Sequence, residues 1–395
     1  MRPRLVVFSP EYPPHVIGGL GTHVGSMIQE LAASHDVELF VPQRGGYISG
    51  TTHVRIHEVP VSTGGHLESC LAYCSTAADL ALRLRCHVDV FWCHDWMTVL
   101  AGVKAARIGN KPLLYNVHLP QHESPTQNIE NIGLVCADAV VVNSKAVEVE
   151  LEARNLEIPQ MAVIPNGVDL RLYRPPRKPF EGEYILFVGR LTAQKGVQVL
   201  LRAFGVVLRK LPEAQLVIVG DGELELQILR AVRTLGFPHR VKFAGWQTGT
   251  SLLRLYQRSQ VVVIPSYYEP FGIVALEAMA CGRPVIVSQV GGLAEIVADR
   301  QQGFVVPFGN YMELAQRLVE LLQNPALRRQ MGKAARLRAS EFGWSGCADQ
   351  MRVVLERLVN RPVIRGTQRR RSVVSFWSSL EDRRVRKLVA KLAAA

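Results

Sequence analysis

Short β-branched runs alternate with amphipathic stretches from one end of this chain to the other, and that alternation constrains the fold more than any other feature. The first half offers LVVF (5–8), VELFV (37–41), VRIHEV (54–59), VDVFWC (88–93), LLYNV (113–117) and AVVVN (139–143). The second half restarts with YILFVG (184–189), QLVIVG (215–220), VKFAG (241–245), VVVIP (261–265), PVIVS (284–288) and GFVVP (303–307). Runs of this kind, separated by helical periodicity at 66–85 and 96–108, make parallel sheets covered on both faces. The proline-rich RPPRKPFEGEY, 174 to 184, interrupts the rhythm and reads as a linker. The expectation is two doubly wound, Rossmann-like α/β domains facing each other, residues 1–173 and 184–342 joined by 174–183, with ligand bound outside the carboxyl ends of the strands. Helical stretches at 310–323, 325–340 and 345–360 close the second domain, the last as a closing helix over 343–360. No repeat of fixed period runs through the chain.

A length of 395 residues is too great for one ordinary core and agrees with two domains. With 48% apolar and 20% charged residues the chain is globular, not disordered. No apolar run reaches the roughly 18–20 residues of a membrane span, and the start MRPRLVVFSPEYPP reads as a first strand rather than a secretory signal. Seven scattered cysteines lack zinc-site spacing. These features lead us to expect a cytoplasmic protein. The net charge of +12 is concentrated: residues 361–395 hold ten Lys/Arg and two acidic residues, or +8. That segment also places Trp377, Leu380, Val385, Leu388, Val389 and Leu392 at helical spacing. It reads as a solvated or packed extension, or as an interfacial helix that meets the inner face of an anionic membrane. No basic patch interleaved with aromatics occurs elsewhere, so nucleic acid is not an expected partner.

Three stretches carry chemistry. EYPPHVIGGLGTHVGSM (11–27) follows the first strand, but Gly18, Gly19, Gly21 and Gly25 do not fit G-x-G-x-x-G, and no ribose-binding acid clearly follows a second strand. A hydride cofactor is therefore excluded, while a phosphorylated ligand is retained. In FVGRLTAQKG (187–196), Arg190 and Lys195 lie on the loop that leaves a strand. They read as a diphosphate grip or as a solvated pair, and their place at a strand's carboxyl end favours the former. In PSYYEPFGIVALEAMACGRPVIV (265–287), Glu269 precedes an expected helix start at Pro270. Glu277 lies a little over two turns on, so both carboxylates can approach one face, and the amides of Phe271 and Gly272 are donors at the helix start. An unpartnered Glu277 inside IVALEAMA would be costly, which favours a ligand. After the strand at 88–93, His94 and Asp95 are read equally well as a half-buried histidine beside a helix cap and as direct ligands. His118 ends the strand at 113–117; His122 is separated from it by Pro120, which argues against a helical two-histidine metal face.

Glu269 and Glu277, with seven residues between them, match the E-x7-E motif of retaining glycosyltransferases of the GT-B fold, glycosyltransferase family 4. VIPNGVDL (163–170), FVGRLTAQKG, VGDGE (219–223), PSYYEPFGIVALEAMACGRPVI and VGGLAEIV (290–297) follow in that family's order. The HDW of 94–96 resembles the glycogen and starch synthase-like branch. The resemblance implies transfer of a hexose, glucose, from UDP- or ADP-glucose to a carbohydrate or small-molecule acceptor with retention. It assigns Arg190 and Lys195 to the donor diphosphate, Glu269 and the amides of Phe271 and Gly272 to the donor sugar, and Glu277 to the ribose. His94 and Asp95 would lie close to the reacting sugar, and His118 near its primary hydroxyl and the reacting centre. Gly18, Gly19 and Gly21 would let backbone approach the donor. The resemblance also implies no cofactor and no metal in catalysis, since protein cations and helix ends take the place of Mg²⁺. Polymer synthases carry a lysine before the paired glycines where this chain has Val16 and Ile17, and the segment from His118 to Ala139 is short, so a long glucan acceptor is not expected. A nucleotide-sugar epimerase or hydrolase would need a further acid–base pair of carboxylates that the chain does not display. A donor-binding subunit without turnover would not need the intact set Arg190, Lys195, Glu269, Glu277 and His118.

Overall fold

A computed structural model describes residues 2–47, 51–61, 65–177 and 181–360; the basic segment 361–395, with its membrane reading, lies outside the described residues. The described residues form two compact units, one of residues up to 164 together with 347–360, and one of residues 165–346. The first unit holds seven strands: β1 (Arg4–Phe8), β2 (Asp36–Pro42), β3 (Val54–Val59), β4 (Val90–His94), β5 (Leu113–Val117), β6 (Ala139–Val142) and β7 (Gln160–Val163). They are all parallel, in the order β3-β2-β1-β4-β5-β6-β7. The second unit holds β8 (Tyr184–Val188), β9 (Leu216–Val219), β10 (Val241–Phe243), β11 (Ser259–Ile264), β12 (Val285–Ser288) and β13 (Gly303–Val306), parallel in the order β10-β9-β8-β11-β12-β13.

Each unit is thus doubly wound. The order reverses between β1 and β4 in one unit and between β8 and β11 in the other, and at such a switch point the loops diverge to opposite faces and leave a crevice. The central strands are buried throughout because Val, Ile and Leu cover both faces: Leu186 and Val262 face one layer that includes Tyr256 and Met279, while Phe187 and Val263 face another that includes Phe204 and Phe304. Among the described residues no helix is long and apolar enough to cross a membrane.

Three details depart from expectation. β7 is an additional edge strand, half exposed, whose QMAV carries too little β-branched signal to be read. The units divide after Ile164, ahead of the proline-rich stretch. The helix Trp344–Val359 begins in the second unit, but from Cys347 onward it belongs to the first. There the Arg352 guanidinium donates to the Glu30 carbonyl at 2.7 Å and to Ser34 Oγ at 3.2 Å. An apolar stripe such as Cys347, Met351, Leu355 and Leu358 shows that a helix face is covered, not which core covers it.

Candidate active site

At the carboxyl edge of the first unit, β1, β4, β5 and β6 each deliver a polar group. The glycine loop after β1 folds over Glu11, whose Oε2 accepts from the amides of Ile17 (2.9 Å) and Gly18 (3.3 Å). A Cβ on Gly21 would collide with that same carboxylate, whereas one on Gly18 would meet open space. Gly19 opens the helix Gly19–Leu31, which turns His23 into the interior. His94 ends β4 and is completely buried; its Nδ1 lies 3.0 Å from His118 Nε2, just beyond β5. Asp95, with φ +54°, precedes the helix Trp96–Gly109 but does not cap it. Its Oδ1 instead accepts from the amides of His118 at 2.6 Å and Leu119 at 3.4 Å. Asn143, after β6, donates from Nδ2 to the His118 carbonyl at 3.0 Å.

Burial, reinforced by the neighbouring imidazole of His23, pushes the His94 and His118 pKa values well below their ordinary range, so both rings are neutral at pH 7. Burial holds the Asp95 carboxyl above its usual range, opposed by the two amides it accepts. The rings of His23 and His118 pack edge to face at 4.5 Å. His23, His94 and His118 can each offer one ligand atom within 4.8 Å of the others, the donor set of a three-histidine metal site. The short contact between His94 and His118 already uses one nitrogen of each ring in a hydrogen bond. His94 Nε2 and His118 Nδ1 are buried and have no hydrogen-bond partner among the described residues.

The second unit's edge is charged. The loop after β8 passes through a single 3₁₀ turn, Ala193–Lys195, and Lys195 Nζ donates to Glu269 Oε2 at 2.7 Å. Ser266 Oγ reaches the same oxygen at 3.2 Å, and Gln194 and Tyr267–Tyr268 exchange hydrogen bonds that lace the loop after β8 to the loop after β11. Arg190 is half-buried, and its side chain makes no hydrogen bond or ion pair among the described residues. The amides of Phe271 and Gly272 are likewise outside every hydrogen bond among the described residues. Three glycines make this packing possible: a Cβ on Gly196, Gly220 or Gly291 would intrude on the backbone carbonyl of Pro265, Gly189 or Glu269 respectively. Gly292 donates to that Glu269 carbonyl at 3.1 Å, which gives the VGG of 290–292 its function of fixing Glu269 from behind. Glu277 lies on the buried helix Ile273–Ala280, where Tyr256 Oη donates to its Oε2 at 2.7 Å and the Tyr173 hydroxyl also hydrogen-bonds it. Burial raises the Glu277 pKa to about 7, against the pull of both phenols.

Residues 17–172 match glycosyltransferase family 4, and residues 172–338 match glycosyl transferases group 1. An uncharacterized glycosyltransferase of Methanocaldococcus jannaschii is 30% identical over 372 residues, covering 86% of this chain and 94% of that protein. The chain belongs to glycosyltransferase family 4. The glycogen synthase of Mycobacterium tuberculosis strain H37Rv is also 30% identical to this glycosyltransferase, over 386 residues that cover 87% and 92% of the two proteins. The solved sucrose-phosphate synthase from Thermosynechococcus elongatus matches with a TM-score of 0.82 at 26% identity, over 90% of this chain and 99% of that one, which establishes the GT-B fold.

The glycosyltransferase's site differs from its sequence reading in four places. Pro270 is not the first helical residue: the helix starts at Ile273, after Gly272 at φ +113°, a left-handed conformation that favours glycine. Glu269 therefore stands off the helix and does not share a helix face with Glu277. The Asp95 side chain is not the cap of its own helix, and His94 is fully rather than half buried. Gly21 packs against Glu11 and Val16, so its lack of a Cβ serves the loop's own packing. Glu277's partners proved to be tyrosines of the protein. Sequence reading missed Glu11, His23, Asn143, Tyr173 and Tyr256; of these only His23 left a signal, a polar residue on the buried face of its helix.

Proposed function

We propose that this glycosyltransferase moves a glucosyl group from UDP- or ADP-glucose to the hydroxyl of a carbohydrate or small-molecule acceptor, with retention of configuration. The observation that carries the reading is the carboxyl edge of β8 and β11, where Lys195 is held by Glu269 and Arg190 makes no hydrogen bond or ion pair of its own. As the glycosidic bond breaks, charge grows on the departing diphosphate, and preorganised cations lower the barrier because no solvent has to reorganise. Glu269 then has a double role. Its Oε2 aims the ammonium, and its remaining acceptor capacity suits donor-sugar hydroxyls. The amides of Phe271 and Gly272 are donors for the same sugar. Glu277, fixed by two phenols, accepts from the ribose.

In the first unit His118 lies near the sugar's primary hydroxyl, with His94 and Asp95 holding its ring and its backbone. Gly18 and Gly19 leave the loop after β1 open to a ligand. Departure and attack on the same face need no enzymic nucleophile, since the departing phosphate oxygen can take the acceptor's proton. Protein cations do the work of a metal, so catalysis is metal-independent. Relatives named for making glycogen and sucrose phosphate, both glucosides, favour glucose. The test is to incubate the protein with UDP-, ADP- and GDP-hexoses and candidate acceptors and read the products by mass spectrometry and anomeric proton NMR. An α-glucoside from one of the first two supports the reading; an inverted product or exclusive use of another sugar overturns it.

A further inference from the structure

Beyond the strand edge, the loop His118–Gln121 is held at almost every backbone polar group by buried side chains. The amides of His118 and Leu119 go to Asp95, and the His118 carbonyl goes to Asn143. Gln121 Nε2 reaches back to the Leu119 carbonyl at 2.9 Å. At the far end the Gln121 amide donates to Glu130 Oε2 at 2.9 Å, while Arg154 Nη2 donates to the Gln121 carbonyl at 2.8 Å. Glu130 and Arg154 are themselves paired at 2.7 Å, with side chains 0% and 10% exposed. Arg154 Nη1 also donates to Asn131 Oδ1 at 2.8 Å. A buried pair of this kind is weak evidence for stability, because desolvation offsets the Coulomb attraction. Two charges are aimed at the two polar groups of one residue, and that residue ends the loop bearing His118. A structural pair would not require that convergence.

We infer that Glu130 and Arg154 are positioning residues for transfer, a clamp that fixes the loop and through it the His118 imidazole. The inference rests on the reading of His118 as a group at the reacting centre. The clamp depends on protonation. Burial lifts the Glu130 carboxyl to about 7, with Arg154 opposing and Glu150 adding to the rise. Asp95 and Tyr115 are the other titratable groups that feel its charge, and His122 lies 3.7 Å from Glu150. As pH falls through 7 the carboxylate takes a proton, the attraction to Arg154 is lost and the loop loosens.

The experiment compares Glu130→Gln, Arg154→Lys, His118→Ala and the double variant Glu130→Gln/His118→Ala in the full chain. Turnover is measured from pH 6 to 9 at saturating donor, alongside hydrogen exchange at the Gln121 amide. Glu130→Gln should lower kcat by about tenfold or more, since small misplacements of a reacting group are costly, and should abolish the acid limb near pH 7. Gln121 should exchange faster while the helix Thr126–Cys136 keeps its protection. Arg154→Lys, which keeps the charge but loses the fork, should fall between. The double variant should be little worse than His118→Ala. Wild-type turnover in Glu130→Gln beside a crippled His118→Ala overturns the clamp alone, as does full additivity of the two losses. Wild-type turnover in both single variants overturns the reading of His118 and the clamp with it.

Discussion

The two strand edges of this protein solve opposite problems. The first unit gathers neutral imidazoles and the buried Asp95 carboxyl, which accepts from the backbone amides of His118 and Leu119. The second sets Lys195 and Glu269 within reach of water, with Arg190 beside them. On the function proposed above, the contrast matches what each edge would do for a nucleotide sugar. On that reading a leaving diphosphate needs charge that is already in place, whereas a sugar ring needs well-placed acceptors and donors. Desolvation keeps His94 and His118 neutral, whereas the second edge pairs Lys195 with Glu269 at 2.7 Å.

The largest way to break this contrast is to remove the charge. Lys195→Ala should lower kcat by about a hundredfold or more, as loss of a preorganised donor to a developing oxyanion does elsewhere, with little change in melting temperature. Steady-state kinetics decides: near-normal turnover would mean that the second edge does not carry the leaving charge.

A smaller effect is expected at Glu277, the one buried carboxylate of the charged unit placed against tyrosines. Loss of a charged acceptor is worth about 1.5–3 kcal/mol, so Glu277→Gln should raise the donor KM by about tenfold or more with kcat less affected. In the wild type the same KM should rise as pH drops below about 7, and the variant should lack that rise. Stability runs the other way. A carboxyl whose folded pKa is raised from 4.5 to about 7 stabilises the fold below the lower value and loses that contribution as pH climbs through the upper one. Relative to wild type, Glu277→Gln should therefore gain melting temperature between pH 5 and 8. A constant offset across that range would place the titration elsewhere.

The smallest expected effect is none. Dialysis against a chelator should leave turnover unchanged if the three histidines of the first unit serve as a hydrogen-bonded cluster. Loss of activity that zinc restores would instead make them a metal centre and reverse the comparison, since the first unit's edge would then carry a cation.

How much of this could be read from the chain depends on whether a signal is local. Twelve of the thirteen strands among the described residues coincide with apolar or β-branched runs, and the exception, β7, is an edge strand whose QMAV carries little such signal. Arg190, Lys195, Glu269 and Glu277 stand out because charges and paired glycines at the end of a hydrophobic run are unusual. The helix boundary at 273 did not stand out: Pro270 is a good first helical residue, and a glycine at 272 does not by itself announce the left-handed conformation it takes. Glu11, Asn143, Glu130 and Tyr256 were opaque for the same reason. Their meaning lies in partners as far as 25 residues away, as for Asn143 and His118, and nothing in their own neighbourhood announces it.

The three glycines that nest the second unit's loops against one another have a consequence for variation. Where a Cβ at 196, 220 or 291 would enter a neighbour's carbonyl, no loop can be altered without altering the one beneath it. The loops after β8, β9, β11 and β12 are therefore inherited as a block. Changing the donor's base or sugar by single replacements in this block should mostly yield damaged protein, whereas exchanging the whole set between relatives keeps each carbonyl matched to its glycine.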